Sequence, residues 1–277
     1  MISILMPVYN GAKYLNETIK SVLNSTLKQY EFLIVNDGST DSSEEIIKSF
    51  KDKRIKYFKK TNSGIGETLN YGLKNSNHEI IARIDSDDLI FPDRFLKQIN
   101  YLKKNKVDVL GTNAILINDK NYEFGETSFP TNHNQIKLKL EALECPIIHP
   151  SVIYKKKLVI SNGGYKENYA EDYDLWLRLI RNSVFNNVRE PLIYLRKHSN
   201  NLSLKNTIDT QKTAVKSLIK YHNFKGNIEK NKKNYIKSNS DFINKSNKVS
   251  GKLKKLKLLP LYLKVLVYRK KLLNSFK

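Results

Sequence analysis

The sequence predicts an α/β fold with a mostly parallel central sheet flanked by helices. Three observations predict it. Short apolar runs bounded by turn residues recur through the first hundred residues, each run is followed by apolar residues at helical spacing, and acidic residues stand where the runs end. Strands alternating with helices pair in parallel through crossovers, and ligands of such sheets bind beyond the carboxyl ends of the strands.

The elements follow in order. Residues 2–8 (ISILMPV) read as a strand, and Leu15, Ile19, Val22 and Leu23 as one face of a helix. Residues 31–36 (EFLIVN), 54–59 (RIKYFK) and 79–84 (EIIARI) read as further strands. Their helices carry Ile46, Ile47 and Phe50, then Leu69 and Leu73, then Phe95, Leu96, Ile99 and Leu102. Residues 107–117 (VDVLGTNAILI) predict another strand, followed by a polar excursion to about Pro130. Ile136, Leu140 and Leu143 predict a helix, and residues 149–154 a strand. Residues 161–170 read as a loop, 171–182 as a strong helix and 191–196 as a last short strand. Helical patterning resumes after His198 to about Tyr221, and no internal repeat is visible.

The chain has 277 residues, 40% of them hydrophobic, enough for a core, so wholesale disorder is excluded. The length predicts one large domain or one domain plus a tail, and the patterning and charge shift put the domain at residues 1–224, with halves at 1–105 and 106–224, and the tail at 225–277. With Cys145 as the only cysteine, an internal disulfide or a multi-cysteine zinc site is excluded, and a reducing, cytoplasmic compartment is the natural expectation. The first residues have no basic region, and their apolar run is too short for a signal peptide. The net charge is +22, yet sixteen basic residues lie between Lys225 and Lys277 against only Glu229 and Asp241. The basicity therefore belongs mainly to the tail and does not by itself mark the folded region as a nucleic-acid binder.

Three groups of acids fall at or beside the predicted strand ends. Asp37 and Asp41 follow the second strand, and on their own they read as turn and capping residues. Asp85-Ser86-Asp87-Asp88 follows the fourth strand. Three carboxylates in four residues repel one another unless a cation or a basic partner offsets them, and an all-oxygen cluster suits Mg²⁺ or Mn²⁺. Glu171-Asp172 opens a helix on which Asp172 shares a face with Leu175, Trp176 and Leu179, while Glu171 lines up with Asp174 and Arg178. A helix N-terminus lowers a carboxyl pKa, so burial near Trp176 must offset the dipole if Asp172 is to act as a base.

Pro7-Val8-Tyr9-Asn10, the Val35-to-Asp41 turn, Asp85-Ser86-Asp87-Asp88, Gly163-Gly164-Tyr165, Glu171-to-Trp176 and Tyr194-to-His198 occur in an order that resembles family 2 glycosyltransferases of the GT-A fold. The resemblance covers about residues 1–204. It implies an inverting transfer from a nucleotide-sugar donor, a UDP-sugar, to a hydroxyl of a glycan or lipid-linked acceptor. It places Pro7, Val8, Tyr9, Asn10, Asp37, Asp85 and Ser86 at the nucleotide, with Arg196 near the diphosphate. It places Asp87, Asp88 and His198 at a divalent metal, Mn²⁺ or Mg²⁺, and makes Asp172 of the Glu171-Asp172 pair the general base. Gly163-Gly164-Tyr165 resembles the mobile acceptor loop, and Thr68 stands where the family commonly has Ala.

Other signals are weaker. Ser63-Gly64-Ile65-Gly66 does not extend to a dinucleotide fingerprint, since the third glycine would fall at Leu69, and it reads as a tight turn into a helix. His149 reads either as lining the acceptor side or as a satisfied half-buried histidine, and Cys145 as a small core residue. Asn201-Leu202-Ser203 matches a glycosylation pattern without meaning in a cytoplasmic chain. Residues 225–250 read as a loose linker. Residues 251–277 carry nine basic and no acidic residues among Leu, Tyr and Val. That helical tail is too short and interrupted to span a bilayer and suits an anionic inner membrane surface, with a partner protein or RNA as alternatives. The expectation is thus a peripheral enzyme of cell-surface polysaccharide assembly. A nucleotidyltransferase would want a basic Gly-rich loop after the first strand, which Tyr9-Asn10-Gly11-Ala12 does not supply, and no nucleic acid partner is expected of the main domain.

Overall fold

The computed structural model describes residues 1–198 and 207–221. The tail and the Asn201-Leu202-Ser203 pattern lie outside them. Helix and strand alternate as β1 (Ile2–Val8), α1 (Ala12–Leu23), β2 (Tyr30–Asn36), α2 (Ser43–Ser49), β3 (Ile55–Lys59), α3 (Ile65–Asn75) and β4 (Ile80–Arg83). After β5 (Leu89–Ile90) come α4 (Arg94–Asn105), β6 (Val109–Ile117), β7 (Glu123–Glu126) and α5 (His133–Glu141). β8 (Ile153–Lys155), α6 (Lys156–Ser161), α7 (Glu171–Leu179), β9 (Phe185–Arg196) and α8 (Thr207–Tyr221) complete the described residues.

One sheet runs in the order β3-β2-β1-β4-β8-β6-β9-β5, with β7 attached to β6. The first four strands are parallel, as expected, with Ile4 opposite Phe32 and Ala82. β8 then runs antiparallel to both β4 and β6, β9 returns parallel to β6, and β5 is antiparallel to β9. Every residue of β1 and β2 is buried, because helices cover both faces. The alternation of the pleat sorts them: Ile4, Met6 and Phe32 pack with Leu15, Ile19 and Phe95 on one face, while Leu5 and Leu33 pack with Leu69, Leu73 and Trp176 on the other. Each such side chain contributes about 1.5–3 kcal/mol by leaving water.

The structure corrects several boundaries. Residues 149–151 form a 3-10 turn in place of the start of a strand: Pro150 cannot donate to a ladder, and the Ser151 hydroxyl bonds the Ile148 carbonyl at 2.8 Å. The last strand begins at Phe185, well before Pro191, because its polar first half is paired with β6 from Val109 onward. The polar excursion before Pro130 contains β7, whose four residues are all exposed.

Candidate active site

β1 and β2 end side by side, with Val8 opposite Asn36, and the turns beyond them are tied together. Asn10 sits at φ 50°, its side-chain oxygen accepts from the Thr40 amide at 2.8 Å, and its own amide donates to the Ser39 hydroxyl at 3.0 Å. Asp41 accepts from the Ala12 amide at 3.0 Å, which fixes the start of α1. Asp37 is 3% exposed and accepts from the amides of Ser63 and Gly64, both at 3.0 Å, and from the Lys60 ammonium. Lys60 was not legible as a site residue, although the register that sets Lys59 opposite Asn36 brings it to Asp37. Of the four residues expected at the nucleotide from β1, Pro7 is buried, Val8 is a core residue whose carbonyl accepts the Asp37 amide at 2.8 Å, and the Asn10 side chain is engaged by Thr40. Tyr9 is largely open, 53% exposed, and Asn10 beside it is exposed as well.

Beyond β4, carboxylate oxygens of Asp85, Asp87 and Asp88 lie within 4.8 Å of one another. Asp85, expected at the nucleotide, thus joins the metal-type cluster, and the Arg83 guanidinium lies 2.7 Å from it. Arg83 is buried at the end of an apolar strand, a signal the sequence did offer. Asp88 is 1% exposed; one of its oxygens accepts the Arg196 amide at 2.8 Å, while the other is buried with no hydrogen-bond partner among the described residues. His198 Nε2 lies 2.9 Å from Asp87 Oδ2, and its ring packs 5.1 Å from Tyr14. The Ser86 carbonyl accepts from Thr18 at 3.0 Å, and a Cβ on Gly11 would stand 3.0 Å from the Ser86 hydroxyl, so a glycine suits that contact. Burial, then the Asp87 charge, lifts Asp85 to about 6 despite the opposing Arg83, and burial with its two acidic neighbours raises Asp88 well above the carboxylate range. Crowded carboxylates and an orphaned buried oxygen fit a hard divalent cation held by oxygen ligands.

Arg196, expected near the diphosphate, lies behind the acidic turn. Its buried guanidinium donates to the Asp87 carbonyl at 2.7 Å, the Asn118 carbonyl at 3.1 Å, the Asn121 side chain at 2.5 Å and Glu17 at 3.3 Å, and it lies over the Tyr14 ring. With its fork turned inward, Arg196 braces the acidic turn.

Glu171 and Asp172 open α7 after Ala170, which is left-handed at φ 50°. Asp172 Oδ1 accepts the Tyr173 amide at 2.7 Å, and Cys145 Sγ lies 3.7 Å from Oδ2. Burial, reinforced by the Glu171 charge, raises the Asp172 pKa, the direction needed to offset the helix dipole. Glu171 is not turned toward Arg178 as helical spacing implied. Arg178 is taken by Asp174 at 2.8 Å and by the carbonyls of Asn162 and Gly164, whereas Glu171 lies 3.2 Å from His149 Nδ1, and burial raises its pKa too. Cys145 has a thiol pushed well up by burial, contrary to a nucleophile.

The Ser63-Gly64-Ile65-Gly66 turn joins the two sides. A Cβ on Gly66 would stand 2.6 Å from the Glu167 carbonyl, and one on Gly64, at φ 91°, would meet the Asn168 side chain, so these glycines seat the loop that leads to Glu171. Thr68 returns its hydroxyl to the Gly64 carbonyl at 2.8 Å. Asn70 clasps Tyr165 of the same loop through two bonds of 2.8 and 2.9 Å.

Comparison with known proteins agrees with this geometry. A family model described as glycosyl transferase family 2 matches residues 3–161. The chain is 34% identical to the O-antigen biosynthesis glycosyltransferase WbnJ of Escherichia coli over 78% of this chain and 84% of that one. The crystal structure of residues 1–349 of S. aureus TarS with UDP-GlcNAc superposes with a TM-score of 0.67 at 20% identity, covering 96% of this chain and 79% of that one. Mannosyltransferase PcManGT of Pyrobaculum calidifontis, in complex with GDP-Man and Mn²⁺, gives a TM-score of 0.58 at 14% identity, over 82% and 65% of the two chains. These likenesses show the GT-A fold.

Proposed function

The chain belongs to glycosyl transferase family 2, and we propose that it transfers a sugar from a UDP-sugar to a hydroxyl of a glycan or lipid-linked acceptor with inversion, in cell-surface polysaccharide assembly. The observation that carries the reading is the pairing of two unlike acid groups: a crowded three-carboxylate turn with an orphaned buried oxygen, and a separate carboxyl, Asp172, whose proton affinity burial has raised.

In this reading residues 1–105 form the donor half and 106–224 the acceptor half. Tyr9 and Asp37 hold the nucleoside, with Pro7 and Ser86 beside them and Lys60 fixing Asp37. Asp85, Asp87 and Asp88, with His198 at Asp87, hold Mg²⁺ or Mn²⁺. When bound, the ion neutralises the charge of the leaving diphosphate as a Lewis acid. Asp172 takes the proton of the acceptor hydroxyl as that oxygen forms its bond to the anomeric carbon. The bond from that carbon to the diphosphate breaks, and its electron pair leaves with the nucleotide. One displacement inverts the centre and needs no covalent sugar–enzyme intermediate. The O-antigen role named for the relative supports a polysaccharide acceptor, and the UDP-GlcNAc complex of the neighbour supports a UDP-sugar donor. No helix among the described residues is long and apolar enough to cross a membrane, so attachment to the inner membrane face is assigned to the tail.

The test is release of nucleotide from a panel of UDP- and GDP-sugars, with Mn²⁺ and with EDTA, in the presence of membrane extract as acceptor source. Turnover of a UDP-sugar that needs the cation and is lost in Asp87→Ala supports the reading. Absence of binding or turnover across the panel overturns it.

A further inference from the structure

Resting on the assignment of Asp172 as base, we propose that His149 is a positioning residue, which holds Glu171 beside Asp172 through its Nδ1–H. His149 is 7% exposed, in the 3-10 turn before β8. Its Nδ1 lies 3.2 Å from Glu171 Oε1 and its Nε2 3.1 Å from the Tyr165 hydroxyl, which is itself 3.2 Å from the Tyr154 hydroxyl. The imidazole is fixed between the Trp176 ring, edge-on at 5.9 Å, and the Tyr165 ring at 5.5 Å.

The chemistry of the partners gives this chain one sense. An ionised carboxylate only accepts, so Nδ1 carries the proton and donates to Glu171; Nε2 then accepts from Tyr165, whose oxygen is free to accept from Tyr154. Burial, and then the Arg83 charge, holds the imidazole neutral, which agrees with a ring bearing a single proton. His149 Nδ1 is the ring nitrogen that faces Glu171, at 3.2 Å from Oε1, and the Arg83 charge opposes the rise that burial gives the Glu171 pKa. The consequence falls on Asp172. A fixed, ionised Glu171 raises the proton affinity of Asp172 and leaves that carboxyl as the destination of the acceptor proton. A Glu171 free to swing or to take up the proton itself would weaken the base. The same contact also ties the acceptor loop to the pair, since Tyr165 lies in that loop.

The experiment measures kcat and the donor and acceptor KM of His149→Asn, His149→Gln, Glu171→Gln and the double variant His149→Gln/Glu171→Gln, each checked by thermal melting. An asparagine amide reaches the place of Nδ1 and can donate to Glu171, whereas a glutamine amide reaches the place of Nε2. The expected result is a fall in kcat of about 10-fold to 100-fold for His149→Gln and for Glu171→Gln, the size seen when a partner orienting a functional ligand is removed. Donor KM stays unchanged, the double variant is no worse than the poorer single one, and His149→Asn recovers most of the rate. Losses that multiply in the double variant, or an asparagine variant as poor as the glutamine one with native melting, overturn the inference and leave His149 a core histidine. Should His149→Gln fail to fold, His149→Ala with and without Glu171→Gln decides by the same criterion of non-multiplying loss. Native protein that transfers no sugar overturns the function reading, and this inference with it; native activity with multiplying losses overturns this inference alone.

Discussion

The two ends of one sheet treat a buried carboxylate in opposite ways. At the start of β2, Glu31 is 5% exposed and accepts from the Ser3 hydroxyl at 2.5 Å, from the Asn77 amide and side chain at 2.5 and 3.0 Å, and from Lys56 at 2.5 Å. Burial opposes its ionisation, but these donors outweigh it and the pKa is lowered. At the carboxyl end of the sheet, Asp88 is as deeply buried and keeps an oxygen without a partner among the described residues, and Asp85 and Asp172 are raised. Burial of an acid is therefore no mark of function here; burial without enough donors is, because that free energy is returned only when a cation or a proton arrives.

The largest expected effect breaks the comparison at the carboxyl end. Asp172→Asn should lower kcat about 10³-fold with melting unchanged, within the range of general-base removal; a loss below tenfold in nucleotide release would move the base elsewhere. At the amino end the reverse holds. Glu31→Gln should cost roughly 2–3 kcal/mol in urea unfolding, as charged buried hydrogen bonds are lost, with kcat of the folded fraction unchanged. Gly66→Ala comes next. Its Cβ would crowd the Glu167 carbonyl, and the overpacking should cost about 1–3 kcal/mol and reduce kcat by displacing the loop ahead of Glu171, readable as a lowered melting temperature together with a lowered rate.

The smallest effect is the pH dependence, and its sign differs between the ends. Asp85 is raised to about 6, so between its unfolded value near 4 and pH 6 the folded state binds more protons, and stability falls as pH rises through that window. Glu31 is lowered, so its contribution is present above its unfolded value and is lost as pH falls through the folded one. In EDTA, native protein should therefore lose about 2–4 °C of melting temperature relative to Asp85→Asn between pH 4.5 and 7, and Mn²⁺ at pH 7 should return it.

Much of this was legible in the sequence for a physical reason. The parallel strands β1 and β2 are buried on both faces and read as continuous apolar runs, whereas edge strand β3 (Ile-Lys-Tyr-Phe-Lys) is only half-buried, and the acids beyond β2 and β4 stand out against that background. What was not legible depends on pairing or on side-chain direction. β5 has two residues and β7 is Glu-Phe-Gly-Glu, so neither carries a strand pattern; each exists because β9 or β6 offers a ladder to it. The Tyr194-to-His198 segment was visible as a motif, but nothing in it says that the Arg196 fork turns inward to Asn118 and Glu17. Helical spacing likewise put Glu171 with Asp174 and Arg178, whereas a first-turn residue after a left-handed Ala170 reaches His149 instead.

In the proposed division of labour the acidic turn holds a cation while Asp172 holds a proton. Calorimetric titration of Mn²⁺ in the presence of UDP, run side by side on native protein, Asp87→Ala and Asp172→Asn, tests it directly. The expected result is that native protein and Asp172→Asn bind Mn²⁺ with the same Kd while Asp87→Ala does not bind it, although both variants have lost turnover. Equal Mn²⁺ binding by Asp87→Ala, or its loss in Asp172→Asn, would contradict the division of labour between the two acid groups.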